Sequence, residues 1–88
     1  MKVAWDRKAW VEYVLWQTED MKIVERMNTL ISECQHDPFR GTGKPEPLKR
    51  NLSGWWSRRI TSVHRLVYRV TGSGDTQALE VLSCRYHY

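Results

Sequence analysis

Ile23, Met27, Leu30, Ile31 and Cys34 follow one another at spacings of 4, 3, 1 and 3 residues, which places all five on one side of a 3.6-residue period. That spacing predicts an amphipathic helix, and Pro38 ends the pattern. Ahead of it, Trp10, Tyr13, Val14 and Trp16 gather on one side of a helix running from about Arg7 to Trp16, with Asp6 as its N-cap. Thr18 is the expected N-cap of the second helix, with Glu19 and Asp20 in its first turn, where the helix dipole favours negative charge. Two such helices so close together predict an αα-hairpin with one shared face to bury. Met1 to Trp5 reads as a short strand before them.

Beyond Pro47 the period changes to two. Strands are expected at about Trp55–Thr61, Arg65–Val70 and Gln77–Tyr86, with Thr71-Gly72-Ser73-Gly74-Asp75 as the turn between the last two. Leu48-Lys49 is a candidate for one more short strand. Alternation sets Leu66, Tyr68 and Val70 against Arg65, Val67 and Arg69, and Trp56, Arg58 and Ile60 against Ser57, Arg59 and Thr61. In the last strand it sets Leu82, Cys84 and Tyr86 against Val81, Ser83, Arg85 and His87. One sheet face is apolar enough to hold the helix hairpin, and the other is expected to present Arg59, Arg65, Arg85 and His87 together. The fold class this predicts is α+β: a small, mostly antiparallel sheet with an N-terminal helical hairpin packed on one face.

Charge sharpens this picture. The chain of 88 residues, expected to form one domain over 1–88, has a formal net charge of +4. Residues 1–39 carry five Lys/Arg against seven Asp/Glu, whereas residues 40–88 carry nine against three. The resulting −2 and +6 imply one basic face and suggest a polyanionic partner, although a solvated, solubilising surface reads the same way. Two cysteines, Cys34 and Cys84, are too few for a disulfide scaffold, and their spacing to His36 and His87 fits no standard zinc finger, so no metal or other cofactor is expected. With no signal peptide or transmembrane run in the sequence, a cytoplasmic protein with reduced thiols and no membrane partner is expected.

From Arg40 to Arg69 there are eight Lys or Arg residues and a single acid, Glu46. Glu46 lies between Pro45 and Pro47 in a loop that also contains Gly41 and Gly43, so both neighbours have φ fixed near −65°. Cleavage of RNA without a metal needs a base for the 2′-hydroxyl, cations for the phosphate and an acid for the leaving oxygen. Glu46, the arginines and His87 are those three kinds of group. Each also has an ordinary reading: Glu46 as a solvated turn residue, His87 as a surface histidine near the chain end, Arg59 and Arg65 as edge-of-sheet solubilisers. Trp55 and Trp56 fit base-stacking platforms or plain packing. His36 and His64 read as a loop and a turn residue. From the residues alone, a basic RNA-binding module and a nuclease both remain open.

Longer motifs add a resemblance. Pro38-Phe39-Arg40-Gly41-Thr42-Gly43-Lys44-Pro45-Glu46-Pro47-Leu48-Lys49, then Asn51-Leu52-Ser53-Gly54, Trp56-Ser57-Arg58-Arg59-Ile60, His64-Arg65-Leu66-Val67-Tyr68 and the ending Cys84-Arg85-Tyr86-His87-Tyr88 resemble the YoeB (Txe) toxins of the RelE/ParE toxin–antitoxin superfamily. The resemblance covers essentially the whole chain, and the Thr71–Thr76 turn is the visible departure, longer than usual. It implies an mRNA endonuclease acting mainly in the ribosomal A site, commonly homodimeric, and held inactive by a YefM-type antitoxin. By the same resemblance Glu46 corresponds to the general base, His87 to the general acid and Arg65 to the cation on the transition-state phosphate. Arg59, Lys49 and Tyr88 correspond to supporting groups for phosphate and nucleotide. A non-catalytic gyrase-poisoning toxin of the ParE branch is the alternative within the superfamily, and it would not need the Glu46–His87 pair.

Overall fold

The computed structural model of the chain describes residues 1–86, and in it the two periodicities become two layers. Strand β1 (Lys2–Trp5) leads into α1 (Arg7–Glu19) and α2 (Met21–His36). A two-residue strand β2 (Glu46–Pro47), a 3-10 turn (Arg50–Leu52), β3 (Trp56–Arg59), β4 (Arg65–Thr71), a second 3-10 turn (Gly74–Thr76) and β5 (Ala78–Ser83) follow. The sheet runs β1-β5-β4-β3-β2, with β1 parallel to β5 and every other pair antiparallel. This is the expected α+β fold. The short strand before the 3-10 turn falls on Glu46–Pro47 rather than Leu48–Lys49.

The α2 stripe is buried as its spacing predicts, with Val24 added to Ile23, Met27, Leu30, Ile31 and Cys34. Those side chains meet Ile60, Leu66, Tyr68, Leu79, Val81 and Cys84 from the sheet, and Ala9 and Trp16 from α1. Two details of the hairpin depart from expectation. First, α1 continues to Glu19, and the cap of α2 is Asp20, whose carboxylate accepts from the N–H groups of Lys22 and Ile23. Second, the apolar residues of α1 are divided: Trp16 is buried, while Trp10 and Val14 face out.

The last strand also departs from simple alternation. Val67 pairs with Ser83 but Tyr68 pairs with Val81, so β5 carries one extra residue, a bulge at Leu82. The phase shifts there, which puts Leu79, Val81 and Cys84 all in the core rather than setting Val81 opposite Cys84. Burial pushes the Cys84 thiol up to about 12, and it also raises the Cys34 thiol. Past the bulge, Arg85 turns toward the helices. Its guanidinium lies 4.5 Å over the Trp16 ring and its Nη1 donates to Glu19 at 2.7 Å. It therefore does not join Arg59 and Arg65 on the open face.

Candidate active site

Arg58 determines where the site begins. It sits in phase with Trp56 and Ile60 on the inward face of β3 and has no solvent exposure. All five of its N–H groups are used: Nε donates to the Tyr68 hydroxyl at 3.2 Å, and Nη1 to Glu33 Oε1 at 3.3 Å and the Thr42 carbonyl at 3.2 Å. Nη2 donates to the carbonyls of Asp37 and Arg40, both at 2.7 Å. One buried cation thus ties the 37–42 loop to the sheet. Glu33 Oε1 also accepts from the Thr42 N–H at 2.9 Å, and that bond, aided by Arg58, holds the Glu33 carboxyl below its ordinary range. Glycine is required at two points of this loop. Gly41 has φ 121°, and a Cβ there would lie 2.5 Å from Glu33 Oε1. Gly43 has φ 88° and hands its carbonyl to the Arg59 N–H at 2.7 Å.

The anchored loop delivers Glu46 to the sheet edge. Glu46 pairs with Ser57 across β2–β3, and Ser57 pairs with Val67 across β3–β4. Arg65, two residues before Val67, shares their face, which is the one turned away from the helices. Glu46 Oε1 and Arg65 Nη1 stand 3.7 Å apart, with the Arg65 side chain only 12% exposed and Glu46 54% exposed. That distance is too long for a good hydrogen bond, so the pair is loose. Two buried polar atoms on the same face, Arg65 Nε and Ser57 Oγ, have no hydrogen-bond partner among the described residues. Arg59 lies directly across from Arg65 and is exposed. Lys49 is exposed and, with Glu46, Pro47 and Leu48, lines a depression in the surface.

Beside Arg65, the backbone of Tyr86 is held on both sides. The Arg65 N–H donates to the Tyr86 carbonyl at 3.2 Å, and the Tyr86 N–H donates to His64 Nδ1 at 2.8 Å. His87 and Tyr88 lie outside the described residues; the residue preceding them is held at Arg65, on the same end of the sheet as the ion pair. Glu46, Arg59 and Arg65 are thus gathered at that end; Lys49 follows the Leu48–Trp55 pairing toward the other end of the sheet, and Arg85 turns to the helices. Arg69 is committed elsewhere, with its guanidinium 4.4 Å above the Trp55 ring and 3.1 Å from Glu80. Trp56 packs against Phe39 at 4.8 Å and against the core. Among the described residues, no group of three or more His, Cys, Asp or Glu is arranged to hold a metal. No helix among them is long and apolar enough to cross a membrane.

Two residues with structural consequences for this site, Arg58 and His64, were not singled out by the sequence reading. Arg58 carried a signal: an arginine in phase with Trp56 and Ile60 must find acceptors inside. His64 carried none, because its partner Tyr86 is 22 residues away.

Comparison with known proteins places this arrangement. Residues 5–88 match the model of the YoeB-like toxin of bacterial type II toxin–antitoxin systems. Toxin YoeB of Escherichia coli strain K12 is 52% identical over 88 aligned residues that span all of both chains. Among solved structures, the YoeB/ParE toxin from Agrobacterium tumefaciens superimposes with a TM-score of 0.96 at 53% identity, covering all of both chains. The Staphylococcus aureus YoeB dimer gives a TM-score of 0.86 at 37% identity, covering all of this chain and 98% of that one. The same S. aureus toxin in a heterotetrameric complex with YefM gives 0.87 at 38% identity, with the same coverage. The chain belongs to the family of YoeB-like toxins of bacterial type II toxin–antitoxin systems.

Proposed function

We propose that this chain, as one domain, is a metal-independent endoribonuclease that cuts mRNA in the ribosomal A site and so inhibits translation in the cytoplasm. The observation that carries the reading is the loose Glu46–Arg65 pair, 3.7 Å apart at the edge of a cationic sheet face, with the Nε of Arg65 buried and without a partner among the described residues. An ion pair with one exposed member is worth only about 0–1 kcal/mol, so an RNA phosphate can take the place of Glu46 at Arg65. Glu46, released from the pair, then accepts the proton of the 2′-hydroxyl, and the 2′-oxygen attacks the adjacent phosphorus in line. Arg65 and Arg59 meet the added charge on the equatorial oxygens, a contribution typically worth about 10²–10³ in rate per donor. His87 protonates the departing 5′-oxygen, and Lys49 and Tyr88 position phosphate and nucleotide. Two bonds change, O2′–P forming and P–O5′ breaking, which leaves a 2′,3′-cyclic phosphate and a 5′-hydroxyl.

The ribosome enters by holding the message in line, so that proximity and orientation lower the barrier to attack. Control falls to a YefM-type antitoxin, as in the S. aureus complex, and the toxin pairs with itself, as in the S. aureus dimer. The deciding experiment incubates the purified chain with programmed ribosomes and maps message ends. A cut within the A-site codon, absent when the nucleotide supplying the 2′-hydroxyl is 2′-deoxy, is the expected outcome. A 3′-hydroxyl product, or an intact message alongside inhibited gyrase, would overturn the proposal.

A further inference from the structure

Tyr86 has φ 61°, in the left-handed region that a bulky residue occupies only where its surroundings hold it there. Two neighbours in sequence, His64 and Arg65, do the holding. The Tyr86 N–H donates to His64 Nδ1 at 2.8 Å, and the Tyr86 carbonyl accepts from the Arg65 N–H at 3.2 Å. Because Nδ1 is the acceptor, the imidazole carries its proton on Nε2 while this bond stands.

His64 is itself fixed from two directions. Its N–H donates to Thr61 Oγ1 at 3.0 Å and its carbonyl accepts from the Ile60 N–H at 2.9 Å, which closes the turn between β3 and β4. Its half-buried ring lies edge-on to Trp16, with 4.8 Å between centroids. Trp16 is locked in turn, donating from Nε1 to the Cys84 carbonyl at 3.0 Å. The Tyr86 ring lies 5.1 Å from the same imidazole. An imidazole flanked by two aromatic rings and tied by its own backbone has little freedom to turn, so Nδ1 stays aimed at one N–H.

The consequence lies one residue further along the chain. His87, assigned above as the acid, follows Tyr86 directly. Rotation about φ of Tyr86 redirects what comes after it, and a tyrosine relieved of its bond to His64 relaxes toward negative φ. The dipeptide His64-Arg65 therefore sets two things at once, the cation of the site and the backbone from which the acid departs.

We propose that His64 is a positioning residue for the cleavage reaction, its Nδ1 holding Tyr86 in the left-handed conformation from which His87 serves as the acid. The proposal rests on the reading of His87 as that acid and adds the group that places it.

The test compares full-length His64→Asn, His64→Gln and His64→Phe on programmed ribosomes, each alone and combined with His87→Gln. The Asn Oδ1 stands where Nδ1 stood, the Gln Oε1 reaches the position of Nε2, and Phe keeps a ring without an acceptor. Alone, His64→Phe and His64→Gln are expected to lower kcat by about tenfold to a hundredfold with KM little changed, as for a catalytic group misplaced by about 1 Å. His64→Asn should keep most of the parent kcat. With His87→Gln already present, none of the three should lower kcat further, since His64 acts through His87. A loss in His64→Asn as large as in His64→Phe overturns the acceptor role, and equal losses in both backgrounds overturn action through His87. Melting temperatures are measured alongside; should His64→Phe fail to fold, the contrast between His64→Asn and His64→Gln, which both lack the ring, decides in the same way. His64 variants that cut like the parent while His87→Gln does not overturn this proposal alone. A His87→Gln chain that cuts like the parent overturns the acid assignment, and this proposal with it.

Discussion

A guanidinium without solvent contact must be fully hydrogen bonded, and Arg58 achieves this with three loop carbonyls, Glu33 and Tyr68. Lysine has three donors on a point charge and cannot copy that fork. Arg58→Lys therefore leaves loop carbonyls unpaired and is expected to cost about 3 kcal/mol, a fall of some 10 °C or more in melting temperature. It should also reduce message cleavage, because the loop carrying Glu46 loses its anchor. Differential scanning calorimetry and the ribosome assay check the two halves. At the site itself, Glu46→Gln and His87→Gln are each expected to lower cleavage by about a hundredfold or more with the melting temperature little changed, since Glu46 is exposed and only loosely paired. Glu33 gives a pH signature. Its carboxyl is held low in the fold by the Thr42 N–H and Arg58, so the folded protein binds this proton less readily than the unfolded chain. The stability it contributes is present above the ordinary carboxylate value of about 4.3 and is lost as pH falls through the lower folded value. Urea midpoints measured from neutral to acid pH should show that loss in the parent and a reduced loss in Glu33→Gln.

The individual elements differ in how plainly they were written in the sequence. The α2 stripe was legible because five of its six buried residues repeat one period, and nothing local competes with it. The α1 pattern was misleading, since its apolar residues serve two sides of the helix and an angular grouping cannot tell core from patch. The bulge at Leu82 was invisible: a single extra residue changes no composition, yet it reverses the phase of everything after it and sends Arg85 to Glu19. Arg59 and Arg65 were legible as neighbours because alternation and one antiparallel pairing align them, whereas Glu46 read as a loop residue and reaches them through the two-residue β2 pairing. The role of His64 was not legible, because it depends on where Tyr86 lands. An element-scale prediction follows for the loop. Gly41→Ala puts a Cβ against Glu33 and forces a positive φ on alanine, so it should destabilise by about 1–3 kcal/mol, read as a shift in the urea midpoint.

For the whole molecule, the relevant quantity is the separation of charge, +6 over residues 40–88 against −2 over residues 1–39. Association with an acidic antitoxin segment or with ribosomal RNA should be fast at low salt and slow markedly as salt is raised, whereas dissociation should change little. Stopped-flow binding with purified YefM-type antitoxin checks this, and an association rate indifferent to salt would contradict it. The sheet order has a consequence in time as well as in space. Strand β5, the last to be synthesised, lies between β1 and β4 and supplies Leu79 and Val81 to the core. A nascent chain ending before Ala78 has made both helices, the Glu46 loop and Arg65, yet it lacks the strand that joins β1 to the rest. Such a chain has no complete core to hold these groups in place, so the fold that aligns them forms only once β5 has emerged. On the proposed function, any cleavage is thereby delayed until β5 is in place, an interval in which an antitoxin already present can meet the growing chain.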